Sequence, residues 1–288
     1  MTPGYGVDPA VSRRRTARER QRRVEQSGAV GDRLGGVQGY DEGTYGRGFA
    51  DVYDDWYDDV SDVDATVEGV VALCAETGGR RVLELGVGTG RLALPLLQRG
   101  LEVTGVDASP EMLERLRAKP GAAGVRCVLA DMAELEGADL GGPVSVAFAA
   151  FNTFFNLTTR DAQARCLRGL AAHLAPGGVV AIEAFVPPEP GTAPDSVVSP
   201  RTIAADHVVL SVARRDPDAQ TISGQHIEIR ESGIRLRPWM VRYAAPRELD
   251  GLAAEAGLTL LRRTADWRDA PFDDASTVHV SRYRTAAR

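Results

Sequence analysis

Three carboxylates stand where runs of apolar residues end, and each has an obvious chemical use. Glu84 lies two residues before the first of three alternating glycines, Gly86-Val87-Gly88-Thr89-Gly90. Asp107 closes the run Leu101–Val106, and Asp131 follows Val125–Ala130 and precedes Met132. Bare glycine backbone lets a bound molecule approach where any Cβ would clash, and a carboxylate beside it can receive a cation or a hydroxyl. An acid at the end of a second strand is placed to grip a ribose-like diol with two hydrogen bonds. Asp131-Met132 suits an adenine, with carboxylate to the exocyclic amine and thioether against the ring face. The dinucleotide fingerprint is G-x-G-x-x-G. Here the spacing is G-x-G-x-G, and Arg91 occupies the position of that pattern's last glycine.

These acids share one crevice only if a scaffold brings several strand ends together. Val82–Leu85, Leu101–Val106, Val125–Ala130, Pro143–Ala150 and Val179–Phe185 read as strands. Between them Arg91–Arg99, a stretch opened by Ser109-Pro110, and Thr158–Leu174 read as helices, with Ser109 as N-cap and Pro110 at the first helical position. Met112, Leu113 and Leu116 form the apolar face of the second of these helices, and Pro176-Gly177-Gly178 a turn after the third. Such alternation predicts an α/β fold, a doubly wound parallel sheet that binds ligands beyond the carboxyl ends of its strands. After Phe185 the rhythm breaks at Pro187, Pro188, Pro190 and Pro194. His207–Arg214, Thr221–Arg230 and Ile234–Ala244 then alternate polar and apolar residues, which predicts an antiparallel meander with one wet face within an insertion spanning 187–245. A helix over Pro246–Ala256 and strands over Leu258–Thr264 and Thr277–Tyr283 follow.

Upstream, residues 41–79 read as cap helices. Tyr45, Phe49, Tyr53, Trp56, Tyr57 and Val60 recur at helical spacing among aspartates, as one amphipathic helix whose phenols could line a pocket. A second helix is capped by Ser61 or Asp62 and ends at Gly78-Gly79. Residues 1–40 are rich in Gly and Arg, with seven arginines between Ser12 and Arg23, and read as a disordered arm.

The chain has 288 residues and a net charge of −6, which argues against general nucleic-acid binding. No apolar run approaches the roughly 20 residues that cross a bilayer, and the basic N-terminal segment is followed by no apolar signal core. Cys74, Cys127 and Cys166 are odd in number and unpaired in spacing, as expected of a reducing cytoplasmic compartment. No metal is expected.

Residues 80–185 resemble the core of class I S-adenosylmethionine-dependent methyltransferases. Glu84–Gly90, Val103-Thr104-Gly105-Val106-Asp107, Ala130-Asp131-Met132 and Leu174-Ala175-Pro176-Gly177-Gly178 carry the resemblance. It implies a seven-stranded sheet with the last strand antiparallel, built from 80–186 and 246–288, with the meander inserted after the fifth strand. It also implies S-adenosyl-L-methionine as cofactor, held by Tyr53, Glu84, Gly86, Gly88, Gly90, Asp107, Ala108, Met112, Asp131, Met132 and Ala149. The sulfonium is already an activated leaving group, so alignment and desolvation of the acceptor supply much of the acceleration, and the need for a base depends on the acceptor.

Phe151-Asn152-Thr153-Phe154 lacks the prolines of nucleic-acid amino-methyltransferases, no cysteine follows a proline as in cytosine C5 enzymes, and Ala149-Ala150-Phe151 offers no acid for a catechol-type metal. A small-molecule acceptor remains. Ala50–Tyr57, Phe151–Leu157 and the insertion resemble bacterial N-methyltransferases of antibiotic amino sugars, in which the insertion contributes to dimers. The resemblance implies a nitrogen or oxygen of a secondary metabolite as acceptor, a possible homodimer through the β insertion, and Tyr57 and Asn156 as catalytic candidates; His226, in the insertion, is a third, since its imidazole could face the pocket as a base. Asn156 stands where those enzymes carry His or Tyr, and Asn cannot act as a base. His207, Arg237 and Trp239 are further candidates for the pocket or a dimer surface. A nicotinamide-dependent oxidoreductase and a non-catalytic adenosyl-binding partner protein are the alternatives.

Overall fold

A computed structural model describes residues 37–57, 61–189 and 191–285. The Arg-rich arm, except for 37–40, and Val60 of the aromatic stripe lie outside the described residues. Seven strands form the main sheet: β1 (Arg81–Leu85), β2 (Glu102–Asp107), β3 (Arg126–Leu129), β4 (Val144–Ala149), β5 (Leu174–Phe185), β10 (Leu258–Thr264) and β11 (Val278–Thr285), in the order β10-β11-β5-β4-β1-β2-β3. β1 to β5 are mutually parallel, and β11 runs antiparallel to both β5 and β10. Strand order reverses between β1 and β4, so a crevice opens beyond their carboxyl ends.

Helices cover both faces because the strands are apolar on both sides. α3 (Val63–Thr77), α4 (Ala93–Gln98) and α5 (Pro110–Ala118) pack a core around Val70, Leu96, Leu113, Val82 and Val146. α6 (Arg160–His173) and α7 (Pro246–Glu255) pack a second around Leu167, Leu249, Leu83 and Ile182. Caps follow the sequence: Asp62 accepts from Ala65 N at 2.9 Å, and Ser109 from Met112 N at 3.2 Å. The turn expected at Pro176–Gly178 is absorbed into β5, where the ladder slips between Val144 and Val146.

The aromatic stripe is not one helix. It folds as α1 (Thr44–Phe49) and α2 (Tyr53–Tyr57), with a break at 50–52. The cause is tertiary. Arg237 donates to the Gly48 carbonyl and, with Arg235, captures the Asp51 carboxylate at 2.6–2.7 Å. The two helices form a roof whose buried cluster is Phe49, Ala50, Tyr57 and Met112.

The insertion is a four-stranded antiparallel sheet, one strand more than expected: β6 (Ser196–Ile203), β7 (His207–Asp216), β8 (Thr221–Arg230) and β9 (Gly233–Arg242). β6 was hidden by Pro200 and the prolines before it. The sheet is also inverted relative to a meander with a wet outer face. His226, Glu228 and Arg237 point inward, each at most 8% exposed, whereas Val198, Ile203, Ile234 and Leu236 on alternate positions are more than half exposed.

Candidate active site

A cavity of about 530 Å³ lies beyond the carboxyl ends of β1, β2 and β4, under the α1–α2 roof and against the inner face of the β6–β9 sheet. Its floor begins at the glycine turn. Gly86 and Gly90 have φ of +61° and +84°, in the left-handed region. A Cβ on Gly86 would collide with the Thr153 methyl, so only bare backbone fits beside the cavity there. The turn is tied down by Val87 N to Val106 O and Gly90 N to Val87 O, both 2.9 Å.

Asp107 accepts from Gly88 N at 2.8 Å and from Ser109 N at 2.9 Å, one bond to each oxygen. Both oxygens keep a lone pair for a diol. Burial raises its pKa above the ordinary carboxylate range, against the pull of those backbone donors. Asp131 spends one oxygen on Ala133 N at 2.9 Å and keeps the other. Glu84 is buried, and its Oε2 has no partner among the described residues. Burial pushes its pKa well up, more than nearby Arg91 lowers it. It faces a small recess beside the main cavity, shared with Tyr53, Gly86, Arg91 and Thr153. A buried, orphaned carboxylate against bare backbone fits a ligand with a cationic amino-acid end.

The other half of the cavity is aromatic. Tyr53 and Tyr57 stack at 4.8 Å, and Tyr57 meets Phe151 edge-on at 6.2 Å. His226 sits among Phe49, Trp56 and Trp239, at 5.7, 5.8 and 6.1 Å between centroids. Burial first, then Arg201 and Arg237, lower its pKa to about 4, so its imidazole is neutral near pH 7. Its Nδ1 has no partner among the described residues.

Phe151 and Asn152, after β4, have φ of +48° and +64°, unusual for residues with side chains. Each such position costs about 1–3 kcal/mol and persists only where its surroundings over-determine it. Here Phe151 N donates to Glu183 Oε2 at 2.8 Å, Asn152 N to Glu183 O at 3.1 Å, and Phe185 N to Asn152 Oδ1 at 2.7 Å. The turn sets the Phe151 ring between cavity and recess, and Thr153 against Gly86.

Of the residues expected at the site, Tyr53, Tyr57, Gly86, Gly88, Asp107, Ala108, Met112, Asp131, Met132, Asn156 and His226 line the cavity, and Glu84 lines the recess. Two do not. Gly90 turns toward Leu116, so its glycine serves helix packing. Ala149 is buried in β4 opposite Ile182, and its neighbour Ala150 lines the recess instead. His207 bonds Asp206 at 2.8 Å and does not line the cavity, whereas Trp239 does. Arg201 and Thr153 line it unforeseen, since nothing local marks either.

The sequence profile of the methyltransferase domain matches residues 82–178. The CcbJ methyltransferase from Streptomyces caelestis is 44% identical, with a TM-score of 0.78 over 86% of this chain and 100% of that one. An amino pentose methyltransferase from Micromonospora echinaspora, involved in calicheamicin biosynthesis and solved with S-adenosylmethionine bound, shares the fold: TM-score 0.61, 23% identity, 81% of this chain and 97% of that one. The cypemycin N-terminal methyltransferase of a Streptomyces species is 34% identical over 136 residues, 46% of this chain and 54% of that protein. The chain thus spans about half the length of the curated relatives it matches. Full coverage of the Streptomyces caelestis enzyme, together with the glycine turn and its three acids, makes this chain a member of the S-adenosylmethionine-dependent methyltransferases, with S-adenosylmethionine as its cofactor.

Proposed function

We propose that the protein methylates an amine nitrogen of a small molecule of secondary metabolism. The observation that carries this reading is one continuous cavity running from Asp107 and Asp131 to an aromatic chamber that holds a neutral imidazole whose Nδ1 has no partner among the described residues. The cofactor supplies a methyl group on a positively charged sulfur. Glu84 and the bare backbone of Gly86 would hold its amino-acid end, Asp107 its ribose, and Asp131 with Met132 its adenine. The rings of Tyr53, Tyr57 and Phe151 favour positive charge beside them and exclude water.

His226 accepts an N–H from a neutral amine and so aims the nitrogen lone pair, while Asn156 offers a second polar contact. An imidazole with a pKa near 4 is too weak a base to activate an alcohol, which places oxygen second to nitrogen. The likeness to an amino pentose methyltransferase and an N-terminal methyltransferase supports nitrogen. A labelled-methyl assay over amines, amino sugars, alcohols and carboxylates tests it. Transfer confined to alcohols would sink the nitrogen reading, and tight cofactor binding without any transfer would favour a non-catalytic adenosyl-binding protein.

We further infer a homodimer through the outer face of the β6–β9 sheet. Ile229 stands opposite Ile234, Ile227 opposite Leu236 and Val208 opposite Ile203, so apolar side chains from four strands share one face. The inner face already covers the cavity, and an apolar sheet face can pair with itself about a two-fold axis. Light scattering should give a dimer and Leu236→Lys a monomer; a monomeric wild type ends this reading. Among the described residues no helix is long and apolar enough to cross a membrane. We place the protein in the cytoplasm, a reading supported by its three free cysteines.

A further inference from the structure

Arg201 is the one residue of β6 that the ladder skips. Pro200 opposes Leu210 and Thr202 opposes Val209, so residue 201 is the extra residue of a β-bulge. Bulges re-aim side chains beside active sites. This one delivers a guanidinium to the cavity wall, next to Tyr57 and His226. The group is held against two rings: its Cζ lies 5.1 Å from the ring centroids of both Trp56 and Tyr57, and Nη2 donates to the Trp56 carbonyl at 2.8 Å. Among the described residues it has no acid partner. Arg215, Arg230, Arg237 and Arg242 of the same insertion each have a carboxylate within 3.3 Å, yet Arg201 is in no ion pair among the described residues. A guanidinium has five N–H donors and cannot lose its charge. With its charge over two rings and one donor used, its other N–H donors remain for a ligand.

The other charges of the cavity wall are acidic and lie elsewhere. Asp107 and Asp131 belong to the cofactor side, and Asp41 is held by Arg47 at 2.6 Å and by Thr44. Glu42 also lines the wall. The cavity is therefore polarised, and an acceptor with one negative group would place it at Arg201 and its amine toward the cofactor.

We propose that Arg201 is a specificity residue that binds an oxyanion of the acceptor, a carboxylate or a phosphate, so that the substrate is an amine that also carries a negative group. This rests on the methyl-transfer reading above. The protein saturated with S-adenosylhomocysteine is titrated with succinate and with pyrophosphate, followed by the fluorescence of Trp56 and Trp239. Saturable binding is expected, weakened roughly 10- to 100-fold in Arg201→Gln, the range for hydrogen bonds to charged groups. The probe that binds more tightly names the oxyanion. Binding of neither probe, or binding that survives Arg201→Gln, overturns the proposal. Calorimetry with S-adenosylmethionine checks that the variant folds. Should it fail, Arg201→Lys is read instead, and anion affinity equal to wild type overturns the assignment of the oxyanion to the guanidinium's several donors.

Turnover separates this inference from its foundation. Amino acids are compared with their amides, and aminoalkyl phosphates with the parent amino alcohols. Preference for the anionic partner is expected. Equal methylation of charged and neutral amines overturns the role of Arg201 and leaves amine methylation standing; transfer to alcohols alone overturns both.

Discussion

Replacing Glu84 by Gln keeps the shape of the side chain and removes its ability to ionise. The carboxyl is buried with an orphaned Oε2, and its pKa is held well above the ordinary range, chiefly by burial. A charge-assisted hydrogen bond to a ligand ammonium contributes about 1.5–3 kcal/mol, so Glu84→Gln should weaken cofactor binding about 10- to 100-fold. Stability should move the other way. A carboxyl whose folded pKa is raised favours the native state only while protonated. As pH climbs from the ordinary carboxylate range through the folded value, ionisation in the unfolded chain draws the equilibrium away from the fold. Gln does not ionise, so near pH 7 the ligand-free variant should melt no earlier than wild type, and the difference should vanish in acid. Binding a cation also ionises Glu84, so the wild type should release protons on binding and the variant fewer. Calorimetry in two buffers of different ionisation enthalpy measures affinity and proton release together. Affinity within twofold of wild type, or a variant that melts several degrees earlier at pH 7, would refute the reasoning, because Glu84 would then be a structural group.

Three other outcomes follow from the same contacts. Arg237 is 1% exposed and bonds Asp51, Glu228 and the Gly48 carbonyl; Arg235 and Arg230 still pair the two acids, so Arg237→Met should cost about 1–3 kcal/mol through its lost hydrogen bonds, seen as a lower thermal midpoint. Glu183→Ala frees the Phe151 N–H and should lower kcat about tenfold while cofactor affinity stays within about threefold; Glu183→Gln keeps an acceptor and should restore the rate. His226 and His279 both have pKa values lowered to about 4, so the unfolded chain binds more protons than the fold between about pH 6.5 and 4. Thermal midpoints should fall across that window, and an acidic limb of kcat/KM between pH 6 and 8 should persist in His226→Gln, since the imidazole is already neutral there.

The cofactor half of the site was legible because its signals are local. A glycine turn needs its glycines, an apolar strand shows itself as a run, and Asp107 and Asp131 are marked by where those runs stop. The acceptor half was legible only in composition. The aromatic stripe named Tyr53 and Tyr57, but helical spacing could not foresee that Arg237, 186 residues away, would take Asp51 and break the helix. Strand alternation found β7 to β9 but not which face turned inward, since ion pairs from the roof decide it. The left-handed turn at Phe151–Asn152 has no glycine to announce it; its cause is Glu183 on the neighbouring strand. Arg201 depends on a slip in register, which one strand read alone cannot reveal.

The clamp at Arg237 has a mechanical consequence. It fastens the roof, with Tyr57, to the sheet that carries His226 and Trp239, while Asp54 of the same roof bonds Thr89 and Lys119 of the main body. Glu84, Asp107 and Asp131 stay with the main sheet. On the proposed function, the roof is thus the joint between the side that would hold the donor and the side that would hold the acceptor. Changes on the inner face of the insertion should then alter what is methylated, and changes at the clamp should be felt on both sides of the joint.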